Sequence, residues 1–94
     1  MSKIEEIRQK VTPILKSAGA SRAALFGSYA RGEETADSDV DIVIEPPEGT
    51  TLFDLVDIVE GLEGVLGRRV DLLTYGGINP RLEPYISKDA IVIF

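Results

Sequence analysis

A small α/β (or α+β) domain, one sheet with helices packed against it, is the fold this sequence predicts. Apolar residues recur at helical spacing over residues 4–18 and again over 52–66. Between and after these stripes lie short apolar runs, RAALF, DIVIE and RVDLLT, each the length of a strand. The two patterns alternate along the chain, which favours one sheet covered by helices over separate all-α or all-β units. With 94 residues there is room for a single domain, residues 1–94, and an apolar content of 44% is enough to cover a core.

The elements follow in order. Ser2 with Glu5 three residues on fits a capping box, opening a helix from about Lys3 to Ser17 that Gly19 stops. Pro13 lies inside it and is expected to kink it or restart it, with Thr12 as cap. Arg22–Phe26 reads as a strand, and Ser28–Gly32 as a helical turn closed near Gly32. Glu33–Asp37 is a polar loop. Asp39–Glu45 is a strand with Val40, Ile42 and Ile44 on one side and Asp39, Asp41 and Val43 on the other. Pro46-Pro47-Glu48-Gly49 ends it.

Thr51 can cap a second long helix, with Leu52, Leu55, Val56, Val59, Leu62 and Leu66 as its apolar stripe and Gly67 as its stop. Gly61 and Gly64 each cost that helix about 1 kcal/mol relative to alanine, which points to close packing or flexibility there. Arg69–Thr74 is a third strand, interrupted by the acidic Asp71. Gly76-Gly77 is a loop, Asn79-Pro80 is expected to start a short helix, and Ala90–Phe94 to close as a strand or extended tail.

Composition removes several chemistries. The chain has neither cysteine nor histidine, so disulfides, thiol catalysis, thiolate zinc sites and Ser-His-Asp triads are excluded. A net charge of −6 argues against direct binding to a nucleic-acid backbone. The charged N-terminus MSKIEEIRQK lacks the apolar segment of a signal peptide, and no run suits a membrane span, so a cytoplasmic protein is expected.

What remains is oxygen chemistry. Asp39 and Asp41, two apart on a strand, share a face roughly 6.5–7 Å apart along the chain. Two carboxylates this close repel unless a cation lies between them, and magnesium suits oxygen ligands shared with phosphates. Asp71 would join them if its strand were the neighbour of Asp39–Glu45. Gly27 lets backbone approach a ligand closely, Ser28 stands in a first helical turn that favours phosphate, and Arg31 can add a charged bond. The bland readings are a plain turn at Gly27-Ser28, a surface pair of Arg31 with Glu33 or Glu34, and a solvated Asp71. Ser38 is expected to hydrogen-bond locally. An EF-hand loop from Asp37 fails, because its required sixth-position glycine is Ile42.

The set Gly27-Ser28, Arg31-Gly32, Ser38-Asp39-Val40-Asp41 and a later Asp71 resembles the minimal nucleotidyltransferases of the DNA polymerase β superfamily, over nearly the whole chain. That resemblance implies a small mixed sheet flanked by helices, the polymerase β-like nucleotidyltransferase fold. It implies that Gly27, Ser28, Arg31 and Ser38 border the nucleotide and that Asp39, Asp41 and Asp71 are catalytic and bind one or two Mg2+ ions. Asp71 would assist the acceptor hydroxyl. The co-substrate implied is ATP, and small members resemble antitoxins that transfer AMP to a tyrosine of a HEPN-domain toxin. Two alternatives stand beside this: a non-catalytic nucleotide-binding module that neutralises a partner by complex formation, and a transferase acting on small-molecule hydroxyls.

Overall fold

The computed structural model describes residues 2–94. Helix α1 (Lys3–Ser17) begins where expected, with the Ser2 hydroxyl accepting the Glu5 N–H at 3.1 Å. The reciprocal half of the capping box gives way to an ion pair, Glu5 Oε2 taking Arg8 Nη1 at 2.6 Å. Pro13 neither ends nor restarts α1. The Thr12 hydroxyl, expected to cap a new helix, instead donates back to the Arg8 carbonyl at 2.6 Å.

Strand β1 (Arg22–Phe26) leads directly into a one-turn helix α2 (Gly27–Arg31), which Gly32 closes in the left-handed conformation. Strand β2 (Val40–Glu45) buries Val40, Ile42 and Ile44 on one face and Val43 on the other, leaving Asp41 and Glu45 half-buried. Helix α3 (Leu52–Leu66) has a complete capping box between Thr51 and Asp54 and ends at Gly67, whose φ is +65°. Strand β3 (Val70–Thr74) runs into a 3₁₀ turn (Tyr75–Gly77), and α4 (Glu83–Asp89) precedes β4 (Ile91–Val92).

Three boundaries differ from expectation. Asp39 and Arg69 stand just ahead of their strands rather than in them. Asn79-Pro80 forms a turn, not a helix start: the Asn79 side chain accepts the Arg81 N–H at 3.0 Å and its carbonyl the Leu82 N–H at 2.8 Å. The proline that serves the helix is Pro84, in the first turn of α4.

The strands form a mixed sheet in the order β3-β2-β1-β4, antiparallel except for the β2–β3 pair, which α3 connects as a crossover. One face of β2 and β3 (Val40, Ile42, Ile44, Val70) joins Leu15 and Leu62 in the main core. Helices α1 and α3 meet at Gly61, where an added Cβ would make ordinary van der Waals contact at 3.6 Å from Ile14 Cγ2, and at Gly64 it would meet nothing within 4 Å, so close packing demands neither glycine. On the other face the Arg22 guanidinium stacks on the Tyr75 ring at 3.7 Å from its centroid.

The apolar stripe of α3 is buried only in part. Of the residues assigned to it only Leu62 is buried, the helix's other buried residue being Ile58 from outside the assignment, whereas Leu52 and Val56 lie exposed. At the far end of β2 the turn Pro46–Thr50 is held by the Thr50 hydroxyl, which donates to the Pro47 carbonyl at 2.7 Å.

Candidate active site

Three chain segments meet at one end of the sheet: the end of β1 and the starts of β2 and β3. Phe26, the last residue of β1, pairs with Asp41, and the backbone then turns through Gly27 at φ +73°. A Cβ at residue 27 would overlap Asp41 Oδ2 and lie 2.9 Å from its Cγ. Glycine is therefore required here twice, by the left-handed backbone and by the carboxylate seated against it. Helix α2 begins at this point with no side chain capping its first turn, and Ser28 is its second residue.

Across the parallel ladder Asp41 pairs with Asp71, so the strand adjacency on which the third carboxylate's placement depended is present, while Asp39 stands just ahead of the ladder. The consequence is electrostatic. Asp41's carboxyl is pushed up to about 6, first by burial, then by the negative charges of Asp71 and Asp39, with Arg31 pulling the other way. Asp71 and Asp39 are themselves exposed.

All the donors gathered here are carboxylate oxygens carrying mutual repulsion, which suits a hard cation such as magnesium. Among the described residues no three acidic groups form a ready cage. A cation at Asp39, Asp41 and Asp71 would need water or phosphate oxygens as well, which is how magnesium usually binds.

Arg31 lies at the end of α2, its Nε 3.2 Å from Glu33 Oε2 and its Nη1 3.8 Å from Asp89 Oδ2. The surface pair with Glu33 is thus present; Asp89, contributed by α4, was not legible in the local pattern. Ser38 bonds locally, its hydroxyl accepting the Thr35 N–H at 2.8 Å, which braces the loop just ahead of Asp39. Sequence reasoning also passed over Arg68, whose Nη1 donates to the Ala36 carbonyl at 2.8 Å and whose guanidinium lies over the Tyr29 ring. It ties the loop before β2 to the segment before β3, beside a cleft of about 470 Å³ that Asp39 and Arg69 also line. The available signal was the pair of arginines standing two and three residues ahead of Asp71.

The sequence model of the nucleotidyltransferase domain family matches residues 4–93. The chain belongs to that family. This nucleotidyltransferase is 49% identical over 88 residues to a Methanocaldococcus jannaschii protein assigned to the protein adenylyltransferases, covering 94% of this chain and 95% of the relative. A solved structure assigned as a minimal nucleotidyltransferase superimposes with a TM-score of 0.82 at 40% identity, covering 94% of this chain and 90% of that one. The same fold occurs, at 17% identity and a TM-score of 0.76, in the complex of a tri-AMPylated Shewanella oneidensis HEPN toxin with its MNT antitoxin, with 96% of this nucleotidyltransferase and 71% of that chain aligned. The expected mixed sheet flanked by helices is thus the polymerase β-like nucleotidyltransferase fold. No helix among its described residues is long and apolar enough to cross a membrane.

Proposed function

We propose that this nucleotidyltransferase moves AMP from ATP to a tyrosine hydroxyl of a HEPN-type partner, in the cytoplasm, and so acts as an antitoxin. The observation that carries the reading is Asp41 lying between the Gly27 backbone on one side and Asp71 on the other. The adenylyltransferase assignment of the Methanocaldococcus relative and the AMPylated toxin in the Shewanella complex support the choice of nucleotide and partner.

Each residue then has a task. Gly27 and Ser28 present free backbone at the start of α2 to the phosphate tail, and Arg31 exchanges an acidic neighbour for a phosphate oxygen. Ser38 keeps the Asp39 loop in place at the edge of the nucleotide. Asp39, Asp41 and Asp71 would hold magnesium, which when bound neutralises phosphate charge and polarises the phosphorus under attack. Asp71, exposed at the start of β3, accepts the proton of the acceptor hydroxyl as its oxygen bonds to the α-phosphorus and pyrophosphate departs.

The test mixes the protein with α-labelled ATP, magnesium and a HEPN-type toxin. Label should move to a toxin tyrosine, and Asp41→Asn should abolish both labelling and neutralisation. An unlabelled toxin that Asp41→Asn silences as well as the wild type does would replace catalysis with neutralisation by complex formation.

A further inference from the structure

The first two turns of α3 expose large apolar side chains: Leu52 is 75% exposed, Phe53 82% and Val56 48%. Leu52 and Val56 line an apolar groove of about 390 Å³ together with Leu55, Val59, Leu72, Glu60 and Glu63, and Phe53 adjoins it on the same helix end. Phe53 and Leu52 do not stand out through fraying. The Thr51–Asp54 capping box, with bonds of 2.9 and 3.2 Å, holds this end of the helix in one conformation. A clustered apolar surface on a rigid helix end marks an interaction site more often than a defect.

The charge around the patch narrows the occupant. Helix α3 carries Asp54, Asp57, Glu60 and Glu63 and no lysine or arginine. Two copies meeting through α3 would bring both acidic sets together, which opposes self-pairing. A lipid surface is disfavoured too, since helices that lie on membranes carry basic polar faces. We propose that this surface docks a partner protein's amphipathic helix, whose apolar face fills the groove and whose flanking lysines or arginines meet the α3 carboxylates.

Leu72 in the groove and Asp71 in the candidate active site are consecutive on β3, so they point to opposite faces of the sheet. A helix seated on α3 therefore leaves the carboxylates open. The docking surface stands apart from the nucleotide chemistry, and its occupant can be held while a hydroxyl is presented elsewhere.

The test uses the full chain and two synthetic helices with one shared leucine face, flanked by lysines in the first and glutamates in the second. Binding is followed by fluorescence anisotropy. The lysine peptide should bind saturably with one-to-one stoichiometry, and the glutamate peptide should not. Joint substitution Phe53→Ser and Val56→Ser should weaken binding by about tenfold or more, while Val92→Ser, exposed on β4, should leave it unchanged. Asp57→Lys should weaken it severalfold and flatten its dependence on salt. Circular dichroism checks that the variants fold, and their melting shift with magnesium-ATP should match the wild type. Equal binding of both peptides, no binding, or indifference to residues 53 and 56 overturns the proposal. So does a concentration-dependent dimer that the 53/56 variant dissolves, which assigns the face to a second copy. Loss of the magnesium-ATP shift in the wild type would count against the nucleotide reading alone.

Discussion

Gly27 and Asp41 occupy space that a single methyl group would make mutually exclusive: the Asp41 carboxylate rests where the Cβ of any other residue 27 would be. The turn that opens α2 and the acid near the start of the inner strand β2 are therefore one unit. Gly27→Ala should disturb both at once. It forces a side chain into a left-handed backbone and displaces Asp41, at a cost of about 1–3 kcal/mol. Thermal unfolding should show the loss, and the melting shift produced by magnesium-ATP should vanish with it. A variant that keeps the full shift would place the phosphate tail elsewhere.

Asp71→Asn should separate binding from chemistry. The residue is exposed at the start of β3, so the fold should be unaffected, within about 0.5 kcal/mol. Loss of the proton acceptor should lower transfer by about 10²–10⁴-fold. ATP should still raise the melting temperature. If transfer persists at the wild-type rate, the proton leaves by another route.

Stability should depend on pH through Asp41. Its carboxyl titrates near 6 in the fold, against the ordinary value of 3.8. The folded state thus holds this proton more tightly than the unfolded chain. Lowering the pH from above 6 towards 3.8 lets this group relieve its own destabilisation, and raising it through 6 restores the strain. In the metal-free protein Asp41→Asn should raise stability at neutral pH by about 1 kcal/mol, once solvent screening of this partly exposed site is discounted. The gain should fade by about pH 4. Melting curves of the two proteins across that window, compared as a difference, isolate the effect. Bound magnesium should reverse its sign at neutral pH.

Leu62 and Thr51 test two different supports of α3. Leu62 is fully buried, and Leu62→Ala should cost about 2–5 kcal/mol through the cavity left behind. Thr51→Ala removes one cap, at a cost of about 1 kcal/mol. Denaturant unfolding should rank them in that order. A larger loss at Thr51 would mean that the cap, not the core, holds the helix.

Much of this was legible because it is local. Alternation in VDIVI places Asp41 opposite the core residues without reference to any other segment, and the Ser2 cap with its apolar stripe defines α1 from Lys3 to Ser17. The site's pairings depend on strand neighbours. Asp71 could be placed beside Asp41 only conditionally, since adjacency of β2 and β3 is a property of the sheet. Arg31 with Asp89 and Arg68 with Ala36 join distant segments and leave no periodic trace. On α3 the pattern itself was ambiguous. Leu52, Phe53, Leu55, Val56, Ile58 and Val59 point around most of the helix, so periodicity could not say which face turns inward. Asn79-Pro80 carried a helix-start signal that its own turn satisfied first.

The turn from Pro46 to Thr50 offers a handle on all of this. Strand β2 runs away from Asp41, so Glu48 is displaced from the carboxylates by roughly 15–20 Å, at the extended-strand rise per residue. It is exposed, and the chain has no native thiol. Glu48→Cys would thus create a unique attachment point for a fluorophore or surface tether, remote from the chemistry yet joined to Asp41 by the rigid central strand.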